Sequence, residues 1–260
     1  MQQPIGIFDS GIGGTSVWKE IKKMLPLENT IYLADSKNAP YGTRSKEEII
    51  QLSIKNTELL LKEGCKLIVV ACNTATTNTI SYLRDTYKVP FVGIEPAIKP
   101  AALRTKTKKV GVLATKGTLS SSLFHNTSKL YADGISVIER EGKGLVELIE
   151  AGKKDAPETE ELLRTYVSPM LNKGIDCLVL GCTHYPYLIP VLKKIIPTDI
   201  TIIDSGEAVA RQTKTMLERQ NLLTKSRENP SEHQFYTNGE VKILESFVKG
   251  LKIKTNFLVF

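Results

Sequence analysis

The sequence predicts an α/β protein of two pseudo-symmetric, doubly wound lobes with mostly parallel sheets and an active site in the cleft between them. Three observations carry this expectation. Short β-branched apolar runs alternate with longer helix-like segments. Near-continuous apolarity marks strands covered on both faces, and strands alternating with helices make right-handed βαβ units. The runs also fall into two sets that align with each other. Finally, polar residues suited to chemistry cluster where strands end, which is where open parallel sheets bind ligands.

In chain order the predicted strands are Ile5–Phe8, Ile31–Ala34, Leu67–Ala71, Phe91–Ile94, Val110–Ala114, Ile135–Ile138, Leu178–Gly181 and Ile200–Ile203. The first helix starts at a cap on Thr15 or Ser16, runs an apolar stripe through Val17, Ile21, Met24 and Leu25, and stops before Pro26. A second spans residues 46–63, with Ile49, Ile50, Leu52, Ile54, Leu59 and Leu60 as its apolar face. The repeat shows in the two cysteine-ended runs. Gly64 stands eight residues before Cys72 and Gly174 eight before Cys182, and Leu67–Thr74 aligns with Cys177–His184 without a gap. Upstream, Ile5-Gly6-Ile7-Phe8 aligns with Val110-Gly111-Val112-Leu113. The expected division is a first lobe of residues 1–97 plus 206–260 and a second of residues 98–205. After Asp204 the chain is helical around Ala208–Leu217, polar over Thr224–Glu232, and returns through a last strand-and-helix region to the first lobe.

Composition narrows the function. At 260 residues, 41% hydrophobic and 24% charged, the chain is not disordered, collagen-like or disulfide-rich. No apolar run nears the roughly 18 residues of a membrane span, and the start lacks a signal-peptide pattern. The expected compartment is cytoplasmic, and the four cysteines, with no C-x-x-C pair, read as free thiols. The net charge of +7 permits nucleic-acid binding without arguing for it. Its densest cluster, Arg104, Lys106, Lys108 and Lys109, has no interleaved aromatics and reads as a solvated loop, so neither a nucleic-acid nor a membrane partner is expected.

Three polar signals stand at strand-to-helix turns, where free backbone N–H groups can hold an anion: Asp9-Ser10-Gly11, Cys72-Asn73-Thr74 and Cys182-Thr183-His184. If the lobes face each other, each supplies one thiol from an equivalent position. Two thiols on opposite walls suit transfer of a proton from one face of a carbon to the other, one as thiolate base and the other as acid. Cysteine also serves as a small buried hydrophobe, the reading given to Cys65 and Cys177. His184 could protonate or steer Cys182, neutralise a substrate carboxylate, or merely cap a helix. Asp9 and Glu150 are candidate helper carboxylates, although composition does not favour Glu150 over Glu147. Gly11-Ile12-Gly13-Gly14 departs from a dinucleotide loop and reads as a turn bringing backbone close to a small carboxylate. No Walker A pattern or Schiff-base lysine stands out, and metal-ligand spacing is missing around Cys72, Cys182 and His184, so no cofactor and no metal is expected.

Asp9-Ser10-Gly11-x-Gly13-Gly14, Pro40-Tyr41-Gly42, Ala71-Cys72-Asn73-Thr74-Ala75 and Gly181-Cys182-Thr183-His184-Tyr185-Pro186 occur in order along the chain, with Glu95-Pro96 and Asp204-Ser205-Gly206 beside them. Together they resemble the signature segments of the bacterial glutamate racemase family. The resemblance implies cofactor-independent interconversion of L- and D-glutamate, supplying D-glutamate for peptidoglycan, in a family that commonly forms homodimers. It implies that Cys72 takes the proton from D-glutamate and Cys182 from L-glutamate. It puts substrate contacts on Asp9, Ser10, Tyr41, Gly42, Asn73, Thr74, Thr183 and His184, with Asp9 supporting Cys72, and Glu150 and His184 supporting Cys182. The sequence departs from the family before Glu150: the Val-x-Leu-Ile-Glu-x-Gly frame is kept, and the two usual prolines are not. Alternatives from the residues alone are a racemase of another acidic amino acid such as aspartate, a non-catalytic anion- or nucleic-acid-binding protein, or a zinc site.

Overall fold

The computed structural model describes residues 3–225 and 230–260. Part of the predicted polar stretch, residues 226–229, and residues 1–2 of the predicted first lobe lie outside the described residues. The first half of the chain runs β1 (Ile5–Asp9), α1 (Thr15–Met24), β2 (Thr30–Ala34), α2 (Lys46–Lys62), β3 (Leu67–Val70), α3 (Asn73–Thr86), β4 (Phe91–Gly93) and α4 (Ile98–Arg104). It continues with β5 (Lys109–Ala114), α5 (Lys116–Leu119), α6 (Ser122–Tyr131), β6 (Ser136–Glu141), α7 (Leu145–Glu150), α8 (Pro157–Asn172), β7 (Cys177–Gly181), α9 (Ile189–Ile195) and β8 (Thr201–Ile203). The last elements are α10 (Gly206–Arg219), β9 (His233–Thr237), α11 (Val241–Phe247) and β10 (Lys254–Phe257).

The strands form two parallel sheets, ordered β10-β9-β2-β1-β3-β4 and β6-β5-β7-β8. The order β2-β1-β3-β4 in one is the order β6-β5-β7-β8 in the other, so the repeat read in the sequence is a repeat of topology. Local chemistry repeats with it. Gly64 and Gly174 follow α2 and α8 with φ of +75° and +79°, a left-handed conformation that glycine adopts without a Cβ penalty and that ends a helix. The core is layered as doubly wound sheets require. One apolar cluster runs from Ile7, Val69 and Val92 of the first sheet to Leu113, Leu178 and Leu180 of the second, and a separate cluster covers the other face of each sheet.

All eight predicted strands form, and three local expectations need correction. Thr15 and Ser16 do not cap α1; the N-cap is Gly14, and the two hydroxyls donate to Ile12 O and Gly13 O instead. The buried face of α2 is Ile49, Ser53, Asn56, Thr57 and Leu60, while Ile50, Leu52, Ile54 and Leu59 are half-buried. One of its polar side chains, Asn56, donates to the buried Tyr41 hydroxyl at 3.1 Å. The helix start is set by Ser45, which accepts from Glu48 N–H while Glu48 accepts from Ser45 N–H. The C-terminal region holds two strands: β9 pairs with β2, and β10 with β9. The chain thus crosses between the sheets twice, after β4 and after β8. The Ser205 hydroxyl donates to Glu95 O at 2.5 Å and fastens one crossing to the other. The basic cluster Arg104–Lys109 is a solvated turn, and no helix of the described residues is long and apolar enough to cross a membrane.

Candidate active site

β3 and β7 occupy equivalent places in their sheets, and a cysteine follows each. Cys72 is the N-cap of α3, its Sγ accepting from Ala75 N–H at 3.4 Å. Cys182 follows β7 and precedes a short 3-10 turn, Tyr185–Leu188. Both thiols line a single narrow slot, walled by Ser10, Pro40, Tyr41, Gly42, Asn73 and Thr74 on one side and by Thr115, Val146, Thr183 and His184 on the other. They are nearly sealed from solvent, at 5% and 7% exposure. Cys65 and Cys177 are packed in the outer apolar clusters, away from the slot.

The carboxylates stand behind the slot and do not line it. Asp9 is fully buried at the end of β1; it accepts from Gly14 N–H at 2.9 Å, Gly11 N–H at 3.2 Å and the Thr183 hydroxyl at 3.1 Å. Burial, reinforced by the charge of Glu150, pushes its carboxyl up to about 6 against the opposing influence of His184 and the donors from Gly14 and Thr183. Burial and the Asp9 charge together hold the Cys72 proton well above the ordinary thiol range.

The second thiol has different surroundings. His184 Nδ1 lies 3.7 Å from Cys182 Sγ, and its Nε2 lies 2.6 Å from Glu150 Oε1. Burial disfavours the imidazolium, but the hydrogen bonds to Cys182 and Glu150 outweigh it and hold His184 well above its ordinary value. The histidine makes no side-chain cap, which removes the helix-cap reading. Glu150, at the end of α7, reaches the site without the missing prolines and is fixed by Ile12 N–H at 2.7 Å.

The glycine turn works differently from expectation. Its N–H groups serve protein side chains: Gly14 and Gly11 donate to Asp9 and Ile12 to Glu150, while Gly13 packs against the His184 ring. A Cβ on Gly11 would collide with the Glu150 carboxylate, and one on Gly13 with the His184 imidazole. The turn is therefore glycine because side chains of the second lobe seat on it.

Polar groups that can meet a small zwitterion remain. Asn73 Oδ1 is buried in the slot wall and accepts no hydrogen bond. Thr74 and Thr115 face each other across the lobes at 2.8 Å. The Tyr41 hydroxyl is not among them; it donates to Asp35 Oδ2 at 2.5 Å, leaving its ring and main chain to shape the slot. Sequence reasoning missed Pro40, Thr115 and Val146. The repeat held a signal for Thr115, since aligning Gly6 with Gly111 places Thr115 opposite Ser10. Among the described residues, no group of three or more His, Cys, Asp or Glu side chains converges to hold a metal ion.

This geometry has close relatives. The sequence profile described as Asp/Glu/Hydantoin racemase matches residues 5–213. The chain is 45% identical over 246 residues to a glutamate racemase from Ectopseudomonas mendocina, covering 94% of this chain and 93% of that one. Among solved structures it is similar to a glutamate racemase isoform from Bacillus anthracis, with a TM-score of 0.87, 32% identity and coverage of 99% and 98% of the two chains. The Escherichia coli glutamate racemase in complex with L-glutamate and the activator UDP-MurNAc-Ala is similar at a TM-score of 0.85 and 32% identity, with 98% of each chain covered. The chain belongs to the Asp/Glu/Hydantoin racemase family and, within it, to the glutamate racemases.

Proposed function

We propose that this protein is an isomerase that interconverts L- and D-glutamate by two-thiol proton transfer, needing no cofactor. The observation that carries the reading is the placement of Cys72 and Cys182, one from each repeat, on the walls of one slot. The relatives named for glutamate support the choice of substrate. With L-glutamate bound, the Cys182 thiolate takes the α-proton and the Cys72 thiol delivers its proton to the opposite face, leaving D-glutamate, a Cys72 thiolate and a protonated Cys182. Starting from D-glutamate the roles exchange. His184 Nδ1 stands 3.7 Å from Cys182 Sγ, while burial and Asp9 keep the proton on Cys72, so the two sulfurs have different surroundings. When Cys72 is the base, the Ala75 N–H and the Ser10 hydroxyl, 3.6 Å away, stabilise its thiolate.

The α-proton of an amino acid is far less acidic than a thiol, so the barrier lies in the carbanion-like transition state. We assign to main-chain N–H groups at the starts of the Asn73 and Thr183 turns the task of holding the α-carboxylate as charge builds on it, each well-aimed donor contributing roughly 3–4 kcal/mol. Asn73 Oδ1 is a free acceptor for the ammonium group. We place the first lobe at residues 1–97 plus 206–260 and the second at 98–205, and supply of D-glutamate for peptidoglycan in the cytoplasm, from a homodimer, follows from the family.

The test is incubation of L- or D-glutamate in deuterated buffer with no added cofactor, followed by chiral analysis and mass spectrometry. Deuterium enters at the α-carbon of the product from either enantiomer, and Cys72→Ser and Cys182→Ser each lower racemisation by more than about 100-fold. Full activity in either variant removes the mechanism. Aspartate turnover well above that of glutamate reassigns the substrate.

A further inference from the structure

Beneath the slot lies a second buried carboxylate that the proton transfers do not use. Asp35 follows β2 and is 2% exposed. It forms no ion pair among the described residues. A buried charge without a cation is costly and persists only when donors surround it. Asp35 has three side-chain donors: Asn38 Nδ2 at 2.7 Å and Asn238 Nδ2 at 2.5 Å to one oxygen, and the Tyr41 hydroxyl at 2.5 Å to the other. Its own N–H donates to Asp9 O at 3.0 Å. Asn238, brought in at the end of β9, also accepts from Lys37 N–H at 2.9 Å. Asn56 of α2 donates to the Tyr41 hydroxyl at 3.1 Å, so both the donor and an acceptor position of that hydroxyl are engaged.

These contacts converge on one short segment. Residues 36–43 make two 3-10 turns, and Pro40, Tyr41 and Gly42 of that segment wall the slot beside Cys72. Such turns carry few internal hydrogen bonds, so their position has to be set from outside. An apolar residue or a neutral amide at position 35 would avoid the buried charge, yet neither could accept from Tyr41 and from two amides together. We propose that Asp35 is a positioning residue for racemisation: its carboxylate, gripped by Asn38 and Asn238, holds Tyr41 and so fixes the Pro40–Gly42 wall against Cys72. This rests on the two-thiol glutamate reading for its kinetic consequence and on geometry alone for its mechanical one.

The experiment compares the parent, Asp35→Asn, Tyr41→Phe and the double variant in two measurements. In steady-state kinetics each single variant raises KM for both enantiomers about tenfold, with kcat changed about threefold or less. That loss is the size expected for one charge-assisted hydrogen bond. The double variant is no worse than the worse single one, because both remove the same link. Effects that multiply, or kinetics equal to the parent in Asp35→Asn, overturn the proposal. Hydrogen exchange by mass spectrometry, without substrate, reads the mechanical half: exchange over residues 36–43 rises about tenfold or more in both single variants and stays at parental rates in α3 and α7. Tyr41→Phe, which keeps the ring, covers the event that Asp35→Asn does not fold. A parent that leaves glutamate untouched sinks the racemase reading, and the exchange measurement still decides for or against Asp35. Unchanged exchange in Tyr41→Phe overturns the positioning role whatever the substrate.

Discussion

At the scale of single residues, the site holds charges that folding alone would not select. Asp9 shows this best. Its carboxyl has no cation in hydrogen-bond contact, and burial raises it from 3.8 to about 6. A group that binds its proton more tightly folded than unfolded gives stability that is complete below the unfolded value and lost as pH rises through the folded one. Asp9 therefore contributes below about 4 and turns into a cost of roughly 3 kcal/mol above about 6. Asparagine at this position could still accept from Gly14 and Gly11 through its oxygen and donate to Thr183 through its amide. Asp9→Asn is thus expected to melt about 5 °C above the parent at pH 7.5, the gap closing as pH falls to 4, while losing activity. Calorimetry across that range checks it; a variant less stable than the parent at pH 7.5 would show that the carboxylate is a structural staple. The meeting of Cys72, Cys182 and His184 in one slot was legible because they stand at strand ends in a repeated frame. The roles of Gly11 and Gly13 were not, since what makes them glycine is a pair of side chains more than 130 positions along the chain.

At the scale of elements, strands were read far better than the faces of helices. A strand buried on both sides writes its burial as a continuous apolar run, as in Leu67–Val70. The buried face of α2 mixes Ser53, Asn56 and Thr57 with Ile49 and Leu60, so an apolar count finds only part of it. β10 escaped notice for the opposite reason: an edge strand with Lys254, Asn256 and Phe257 exposed has no apolar run to show. The short helix α5 escaped as well, and it matters for function. Its Gly117 lies against Thr74 of α3 and the main chain of Gly42, and Asn78 Nδ2 donates to Gly117 O at 3.3 Å. A Cβ at Gly117 would stand 2.8 Å from Thr74 Cγ2 and 3.2 Å from Gly42 Cα, so something must move, and one of the neighbours is backbone. Gly117→Ala should wedge α5 away from α3 and lower kcat/KM for both enantiomers by about 100-fold, the scale of a 1 Å misplacement of reacting groups. Melting should change little, because the core clusters are untouched. Wild-type kinetics in this variant would show that the close packing of α5 on α3 is not needed for catalysis.

At the scale of the molecule, the duplicated topology was legible from the register of Gly64, Cys72, Gly174 and Cys182, because each repeat keeps its own turn chemistry. What the sequence could not show is how tightly the repeats face each other. Helix α1 and the turn before it bind the second lobe through Ile12 N–H donating to Glu150, the Ser16 hydroxyl shared between Gly13 O and Thr183 O, the latter at 2.9 Å, and the Tyr187 hydroxyl donating to Thr15 Oγ1 at 2.5 Å. On the far side of the slot, Thr74 meets Thr115. With both sides fastened, the sulfurs are nearly sealed and glutamate has no wide path in, so turnover requires the lobes to part and reclose. The weaker fastening is the side held by the Thr74–Thr115 hydroxyl pair and the Asn78–Gly117 bond, and the crossings tied by Ser205 and Glu95 are the natural pivot, being the only two places where the described chain passes between the sheets. Reclosure excludes water from the charged transition state and strengthens every donor that faces it. Small-angle scattering is therefore expected to give a smaller radius of gyration with saturating glutamate than without it, at one protein concentration so that the oligomer is the same in both. The Cys72→Ser/Cys182→Ser double variant should show the same contraction, since closure depends on binding and not on proton transfer. Superimposable profiles with and without glutamate would mean that substrate enters without movement of the lobes.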